Sequence, residues 1–443
     1  MADLDEVLSA GQRRLGDLLS IAENENCINQ PNQEPVEVPL PENETDTRIV
    51  DLLDQYTDRN GDPSGRFRKN KNNLYIILRR DRRWRGWVWL NSFTNTLQID
   101  DRDYRDTDDT RIALWVSRAY GLEYSDAAVS ATVQLIGEEN KRNPLLEWLD
   151  SLHWDGTPRL ASWVIEATDC DDTDLNRKMA EKWLIQAIAR AYKPGCKADC
   201  VLILAGDQGA GKSTLFRTLA TEEYFADTPL DIGSANSYSQ IARAWIYEVA
   251  ELDSVRRSAN SATKAFLSAQ EDNFRPAYGR HAITIKRHVV FAGTTNESQF
   301  INDMTGSRRY WPIKVNEVNL HWVRENRDQL WAEAIVAFKA GETWYLDKEM
   351  DVKRHDSSKI YRQDDPWMDP ISTFLMVQQG WVTMTMVMEE GLKIERGRMN
   401  RRDEMRISEI LRELNYEKKR MMLGGKRKYV WAKNEILKVK SKE

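Results

Sequence analysis

Short apolar runs in the middle of the chain predict buried β-strands, because each run has strand length and is followed by polar or glycine-rich residues. Three such runs lie at residues 201–205, 244–249 and 288–292. A helical, Trp-rich segment at residues 316–345 follows them. We therefore predict an α/β core that extends over residues 198–345.

Two further regions are predicted before this core. Residues 1–47 contain a polar, apolar-poor stretch and are expected to be a flexible N-terminal segment. Residues 48–140 are expected to form an α+β domain, with a helix at 49–56 and strands at 84–90 and 96–99.

A helical region is predicted between the α+β domain and the core, over residues 141–197. Apolar residues recur at helical spacing in 143–152, 160–167 and 176–192, and Pro194-Gly195 ends the last helix.

The C-terminal part of the chain has a different pattern. Residues 346–366 are charged and lack a clear period, which we interpret as a linker. A strongly periodic helix at 403–414 precedes a basic β-hairpin with a glycine tip, so 367–443 are predicted to form a winged helix. The alternative is a basic C-terminal cap. The candidate DNA contacts of the hairpin are Lys426, Arg427 and Lys428.

Composition narrows the class of protein. The 443 residues are 41% hydrophobic, enough for two to four domains, and the net charge of −6 excludes a global basic field. Nucleic-acid contact must therefore come from local patches. The four cysteines form no CxxC pair, no apolar run is long enough to span a membrane, and the N-terminus is acidic, so we expect reduced thiols and a cytoplasmic location.

The most specific chemical motif is Gly206-x4-Gly211-Lys212-Ser213, which follows a predicted strand and opens a predicted helix. This is the pattern of a phosphate-binding P-loop, in which backbone N–H groups converge on phosphate oxygens. We expect Lys212 to reach the β- and γ-phosphates of ATP and Ser213 to bind Mg²⁺. The predicted nucleotide-binding residues are Gly206, Asp207, Gln208, Gly209, Ala210, Gly211, Lys212, Ser213 and Thr214.

Polar residues at the ends of the other strands supply candidate catalytic groups. Glu248 ends the second strand and Glu251 follows it, so one carboxylate is expected to hold Mg²⁺ and the other to orient or deprotonate water. Asn296 follows the third strand and is expected near the γ-phosphate. Arg308 and Arg309 precede an aromatic strand, and either guanidinium suits a developing phosphoryl charge, supplied to a neighbour if subunits form a ring.

Two basic segments are candidates for contact with nucleic acid. The first is a predicted β-hairpin over 274–287, for which the alternative is a solvated hairpin; its candidate residues are Arg275, Tyr278, Arg280, Lys286 and Arg287. The second is the run from Arg66 to Arg85, which either binds DNA or a partner protein, or is a solvated face balanced by acids at 100–109.

The order of these motifs resembles the virulence-associated E family of prophages, phage satellites and plasmids. The residues that carry the resemblance are Leu149-Asp-x-Leu-x-Trp-Asp-Gly-x-Pro-Arg159, the P-loop, Trp245-x-x-Glu248-x-x-Glu251-Leu, Phe274-Arg-x-x-Tyr-Gly-Arg280, Thr295-Asn296 and Arg308-Arg-Tyr-Trp. The family is similar to superfamily 3 helicases, which are hexameric AAA+ ATPases that encircle DNA.

The resemblance implies a role for each matching residue. Lys212 and Ser213 would be the Walker A pair, Glu248 the Walker B acid, Asn296 sensor 1, and Arg308 or Arg309 the arginine finger. Residues 274–287 would be the pore hairpin. Some relatives carry an N-terminal primase domain, but this chain has a shorter N-terminal part without an obvious cluster of catalytic acids.

The sequence therefore predicts a DNA helicase that uses ATP and Mg²⁺ and acts as a homo-hexameric ring in replication of a phage or mobile element in a bacterial host cell. Single- or double-stranded DNA is the expected partner, with a separate primase or replication initiator as a further one. Two alternatives remain: an origin-melting or loading ATPase that does not travel, and a DNA-binding regulator that uses ATP as a switch.

Overall fold

The computed structural model describes residues 45–232, 234–250, 260–275, 282–301, 307–361, 365–378, 380–395, 398, 400–423 and 426–433. They divide into two compact units. The first contains the described residues up to Ser92 together with Thr96–Arg142, and the second contains Phe93–Asn95 and the described residues from Asn143 onward. None of the helices in these ranges has the length and apolar character needed to cross a membrane.

The first unit is an α+β arrangement with its own apolar core. Its elements are β1 (Gln55–Thr57), β2 (Pro63–Phe67), α1 (Lys71–Arg80), β3 (Val88–Asn91), β4 (Thr96–Ile99), β5 (Arg102–Asp103), α2 (Asp106–Tyr120), α3 (Asp126–Glu139) and β6 (Lys141–Arg142). Strands β1 and β2 pair with each other, and the others form a sheet in the order β5-β4-β3-β6. Leu74 and Ile77 of α1 and Trp115 of α2 are buried in this core because helical spacing places them on inward faces.

The helix predicted over residues 49–56 does not form. A short 3-10 turn, Val50–Leu52, is followed by extended chain and then β1. The side chain of buried Asn73 accepts a hydrogen bond from Asp54 N at 2.7 Å and donates one to Asp54 O at 2.8 Å. These bonds from a distant helix take the backbone groups that a local helix would have used, so tertiary contact overrides local preference.

The predicted strand over 84–90 is only partly confirmed. Trp84 to Trp87 form a turn in which Trp87 N donates to Trp84 O, and Gly86 has a φ of +84°. The strand itself is β3, and the predicted strand over 96–99 is confirmed as β4.

The second unit is a mixed α/β structure built on a parallel sheet, as expected. Its elements up to residue 361 are α4 (Pro144–Ser151), α5 (Trp163–Thr168), α6 (Asp174–Tyr192), β7 (Val201–Ala205), α7 (Lys212–Ala220), β8 (Phe225–Ala226), α8 (Ala235–Ile241), β9 (Ile246–Ala250), α9 (Asn260–Ser268), β10 (Glu271–Phe274), β11 (Ile283–Lys286), β12 (Val290–Thr295), β13 (Tyr310–Lys314), α10 (Leu320–Lys339) and α11 (Lys348–Ser357). Among the described residues, five strands pair in parallel in the order β13-β7-β12-β9-β8.

Buried tryptophans join the helices of this unit to its sheet. The indole N–H of Trp183 in α6 donates to Phe291 O of β12 at 2.9 Å. Trp245, just before β9, donates to Ala187 O of α6 at 3.0 Å. Each ring therefore buries a large apolar area and also satisfies its polar atom, which fixes α6 against the sheet.

The segment interpreted as a linker, 346–366, is folded where the structure describes it. Helix α11 begins after Asp347, whose side chain accepts a hydrogen bond from Met350 N at 2.8 Å. The Tyr361 carbonyl, at the end of the 3-10 turn Ser358–Tyr361, accepts hydrogen bonds from the N–H groups of Phe300 and Ile301. The linker prediction is therefore wrong for these residues, since they bond to the same unit as the parallel sheet.

The C-terminal part of the second unit combines short helices with a β-hairpin. Its elements are α12 (Met368–Val377), β14 (Trp381–Val382), α13 (Met384–Met386) with a π-helical turn Val387–Gly391, α14 (Arg401–Glu413), β15 (Tyr416–Leu423) and β16 (Lys426–Lys433). The strands form a sheet in the order β14-β16-β15, and Ile371, Ile407 and Trp431 lie in its core. The predicted helix at 403–414 and the hairpin after it are confirmed.

The second basic hairpin, β10–β11, is also present, but its residues have different environments. Phe274 pairs with Ile283 in an antiparallel register. Arg275 and Lys286 are exposed, whereas Tyr278 and Arg280 lie outside the described residues. Arg287 is only 3% exposed.

Burial and ion pairing make Arg287 a structural residue. Its guanidinium donates to both carboxylate oxygens of Asp272, at 2.6 and 2.7 Å, and also to the Phe266 carbonyl. The group also lies over the Phe266 ring, 4.5 Å from its centroid. The prediction that Arg287 contacts DNA is wrong, because an approaching phosphate cannot reach a guanidinium that is buried and already paired.

We expect Arg287→Ala to lower the free energy of unfolding by about 3–5 kcal/mol, because it leaves the buried Asp272 carboxylate uncompensated. The matched variant Lys286→Ala removes an exposed cation from the adjacent position and should change it by less than about 0.5 kcal/mol. Chemical denaturation of both variants measures the difference. Equal stabilities would contradict the structural assignment of Arg287.

Candidate functional site

The loop between β7 and α7 is shaped by two glycines. Gly206 N donates to Thr295 O at 3.1 Å, and a Cβ at Gly206 would lie 2.5 Å from the Val315 carbonyl oxygen, so only glycine fits. Gly211 has a φ of +86°, and no side chain caps the helix that begins after it. The amide groups at the start of α7 are therefore left without a side-chain acceptor.

Lys212 is the first residue of α7, and its side chain turns back over the loop. The ammonium donates to Gly206 O at 2.8 Å, to Asp207 O at 2.6 Å and to Asn296 Oδ1 at 3.0 Å. The residue is 6% exposed, and burial lowers the pKa of the ammonium. Three neutral oxygens thus compensate this cation in place of solvent.

Glu248 lies in β9, and the residue is 1% exposed. Its Oε1 accepts hydrogen bonds from Ser213 Oγ at 2.7 Å and from Thr294 Oγ1. Within the part of the chain that the structure describes, its Oε2 is buried and has no hydrogen-bond partner. Burial is the main cause that raises the pKa of Glu248, while the two hydroxyl donors act in the opposite direction.

The order of the strands brings these side chains together. Strand β12 lies between β7 and β9, with Ala292 opposite Leu202 on one side and Glu248 on the other. Asn296 directly follows β12. The carboxyl ends of parallel strands meet at one edge of the sheet, and this edge therefore carries Lys212, Ser213, Glu248 and Asn296.

Thr294 was missed by the sequence analysis. Its hydroxyl completes the donor set around Glu248 Oε1, and its side chain is buried within β12. The one available signal was a pair of threonines in an otherwise apolar strand, which does not reveal the partner. Glu251, the second predicted acid, lies outside the described residues.

Arg308 and Arg309 lie at the opposite end of the same sheet, where its parallel strands begin. They precede β13, whose first residue, Tyr310, pairs with Val201 at the start of β7. The length of β7 therefore separates them from the glycine loop by about 15 Å, at ~3.3 Å per residue. The structure does not bring either arginine to Lys212 of its own chain.

The two arginine side chains differ in how exposed they are and in how closely they are bonded. Arg309 donates to Ser268 Oγ at 2.9 Å and lies 3.4 Å from Asp199 Oδ2, and its side chain is 13% exposed. The Arg308 side chain is 57% exposed and lies 3.8 Å from the same carboxylate. Arg308 is thus the one that can reach another molecule.

The predicted DNA contacts in the C-terminal hairpin are exposed where they are described. Arg427 and Lys428 point from β16 into solvent, and the side chain of Lys426 is outside the described set. They pair with Met422 and Met421 on β15.

The site offers hard oxygen ligands but no preformed metal cage. No group of three or more His, Cys, Asp or Glu side chains in the described ranges is arranged to hold a metal ion. Mg²⁺ usually takes one or two protein oxygens together with water and substrate phosphates. The Ser213 hydroxyl and the unpartnered Oε2 of Glu248 fit that requirement.

Comparison with known protein families supports the resemblance. Residues 149–363 match the virulence-associated protein E-like domain. This match confirms the resemblance found in the sequence for that part of the chain.

Two solved structures are similar at low identity. The apo structure of the NrS-1 C terminal region (305-718) is 14% identical, with a TM-score of 0.43. The A form apo structure of the same region is 13% identical, with a TM-score of 0.41. In both cases the match covers 78% of this chain and 96% of the other. No curated protein matches the chain.

Glu248→Gln is expected to stabilise the nucleotide-free protein at pH 7. Because the pKa of Glu248 is raised in the folded state, the folded state binds this proton more tightly than the unfolded state. Stability contributed by this group is therefore present at low pH and lost as pH rises through the folded pKa. Glutamine carries no charge, so the variant does not lose this stability as pH rises.

The measurement is thermal unfolding from pH 4 to pH 8, with the exposed Glu317→Gln as the matched control. The stability difference between Glu248→Gln and the unchanged protein should grow with pH, whereas the control should show no such growth. A difference independent of pH would contradict the assignment.

Proposed function

We propose that this protein hydrolyses ATP with the help of Mg²⁺. It would act on DNA as a ring-forming helicase in replication of a phage or other mobile element. The observation that carries the proposal is the meeting of Lys212, Ser213, Glu248 and Asn296 at the carboxyl edge of the parallel sheet. In this proposal Lys212 binds phosphate, Ser213 and Glu248 bind the metal, and Asn296 contacts the γ-phosphate.

The first step is capture of the phosphates. The uncapped amide groups at the start of α7 attract an anion, and the glycines leave room for its oxygens. Lys212 then exchanges the carbonyl oxygens of Gly206 and Asp207 for β- and γ-phosphate oxygens. The ammonium then bonds to anionic oxygens in place of neutral carbonyl oxygens, so the exchange favours the bound state.

The second step is activation of the γ-phosphate. Ser213 and Glu248 would hold Mg²⁺, which neutralises charge on the β- and γ-oxygens when it is bound. Binding of a cation would also compensate Glu248 Oε2. The Asn296 amide, released from Lys212, would be free to contact the γ-phosphate or the attacking water.

The third element is an arginine from a neighbouring subunit. Because Arg308 lies at the sheet edge opposite its own loop, it can complete only a site in another copy of the chain. A head-to-tail relation generates a ring when the rotation between subunits closes, and we propose that it does so here. We therefore propose Arg308 as the finger, and Arg309 as the residue that holds the turn through Ser268 and Asp199.

Two basic hairpins would contact DNA. Arg275 and Lys286 of β10–β11 are exposed, and so are Arg427 and Lys428 of β16. The order of α12, β14, α13, α14 and the β15–β16 hairpin is that of a winged helix, in which a helix and a basic wing meet the nucleic acid.

Two other functions use the same residues. An ATPase that melts an origin without travelling would hydrolyse ATP but fail to clear a long forked duplex. A nucleotide-gated regulator would bind ATP stoichiometrically without turnover. The presence of Glu248 together with a candidate arginine finger favours turnover, because a switch that only binds nucleotide has no need to stabilise charge on a transferred phosphoryl group.

Lys212→Ala is expected to reduce ATP hydrolysis by at least ~100-fold, because it removes the cation nearest the transferred phosphoryl group. Circular dichroism should show an unchanged fold, since Lys212 bonds to neutral oxygens that water can replace. Lys348→Ala, which removes an exposed lysine from α11, is the matched control and should hydrolyse ATP at the normal rate. Normal turnover by the Lys212 variant would refute the site.

Arg308→Ala alone is expected to be inactive but to regain activity when mixed with Lys212→Ala. In a mixed ring, intact loops of the first variant meet intact fingers of the second at about a quarter of the interfaces, so about a quarter of normal activity should return. Arg309→Ala is the comparison variant. It should also lower the free energy of unfolding, because Arg309 holds its turn through Ser268 and Asp199. Absence of rescue at every mixing ratio would exclude a shared site.

A further inference from the structure

The first unit carries a concentration of positive charge that the proposed ATPase does not use. Residues 66–85 contain nine Lys or Arg and one acid, Asp81, which gives +9 − 1 = +8 in a chain whose net charge is −6. We propose that the part of this run nearest β1 and β2 is a binding surface for single-stranded nucleic acid. This surface, the basic hairpin surface, consists of Tyr56, Arg66, Arg68, Lys69 and Lys71.

Three cations of this surface are not paired with an acid among the described residues. Arg66, Lys69 and Lys71 are exposed, and none of them forms an ion pair within the described part of the chain. Two other cations of the run are paired: Arg79 with Glu139 at 2.9 Å and Arg83 with Asp81 at 2.7 Å. The fold therefore pairs two cations at one end of the run with acids and leaves those of the basic hairpin surface open to a polyanion.

Two acids of the run at 100–109 are engaged within their own segment. Asp108 is buried and accepts two hydrogen bonds from Arg102, both at 2.8 Å. Asp109 accepts a hydrogen bond from the Tyr104 hydroxyl at 2.8 Å. These two carboxylates therefore do not pair with the basic hairpin surface.

The hairpin is ordered although it adds almost nothing to the core. Nearly all side chains of β1 and β2 are exposed, and an isolated two-stranded hairpin has marginal stability. Polar bonds hold it: Asp58 Oδ1 accepts from Asn60 N at 2.8 Å and from Asp62 N at 3.0 Å, and Arg68 Nε donates to Gln55 O at 2.9 Å. Phe67 at the end of β2 packs against the core, with its ring 6.2 Å from that of Tyr120. The rest of this structured element is mostly exposed and basic, which suits a binding partner.

The aromatic ring decides the kind of partner. Tyr56 is 51% exposed, and the Arg68 guanidinium lies over its ring, 5.3 Å from the centroid. An aromatic face beside cations stacks an unpaired base while the cations bind the phosphates. In a duplex the bases are stacked on each other and cannot use this ring, so the geometry favours a single strand over a duplex or an acidic protein.

The test uses the full-length protein without nucleotide and a labelled single-stranded oligonucleotide of about 20 nucleotides, long enough for one binding site. Fluorescence anisotropy at several salt concentrations gives the affinity and its salt dependence. The triple variant Arg66→Gln, Lys69→Gln, Lys71→Gln should bind at least ~10-fold more weakly, and its log–log salt slope should fall by about 2. The matched triple Lys348→Gln, Lys353→Gln, Lys359→Gln should change neither quantity.

Tyr56→Ala separates the single-strand interpretation from simple polyanion binding. Loss of one stacked base should weaken single-strand binding by at least ~5-fold and leave the salt slope unchanged, with no effect on a duplex of the same sequence. If the basic triple behaves like its control, the surface does not bind nucleic acid, and an acidic protein becomes the partner to seek. If Tyr56→Ala has no effect, the single-strand assignment is wrong.

This inference is independent of the ATPase proposal. The basic triple should hydrolyse ATP at the normal rate in the absence of nucleic acid, because it lies in the other unit of the chain. A protein without ATPase activity would refute the proposed function and leave the binding test intact.

Discussion

The buried carboxylate of Glu248 is the constraint on which the arrangement of the site depends. Its Oε1 is bound by two hydroxyls and its Oε2 by no described group, while the nearby Lys212 ammonium bonds to carbonyl and amide oxygens instead. A buried anion and a buried cation thus lie in one site, each compensated only by neutral dipoles. In the function proposed above, this arrangement suits a ligand that brings both signs of charge, as a metal-bound polyphosphate does. The glycine loop, the start of α7 and the strand order together place these two groups at the same end of the sheet.

The parallel sheet explains both what meets and what is kept separate. Strand β12 between β7 and β9 gathers side chains from three distant segments at the carboxyl edge. The same geometry places Arg308 and Arg309 at the other edge, beyond reach of their own loop. Because the sheet cannot bend enough to close that distance, a role for Arg308 in catalysis requires a second subunit.

The role of a positively charged side chain in this protein depends on the groups that surround it. Arg287 and Arg66 both belong to basic, hairpin-forming segments, yet one is buried against Asp272 and the other is open to solvent. Burial with a bidentate acid makes the first arginine part of the fold, and the absence of a paired acid among the described residues leaves the second available for binding. A charge count over the sequence cannot distinguish these cases, since it contains no information about which acid approaches which base.

Local patterns determined much of this protein. The apolar runs located β7, β9 and β12 to within a few residues, and the glycine spacing located the loop and the start of α7. These features depend on residues close in sequence, so the sequence alone reveals them. Tertiary structure decided the rest: the Asn73 bonds that keep Asp54 out of a helix, the Thr294 hydroxyl on Glu248, the burial of Arg287, and the folding of α11 from a charged segment. Each of these depends on groups that lie far apart along the chain and meet only when it folds.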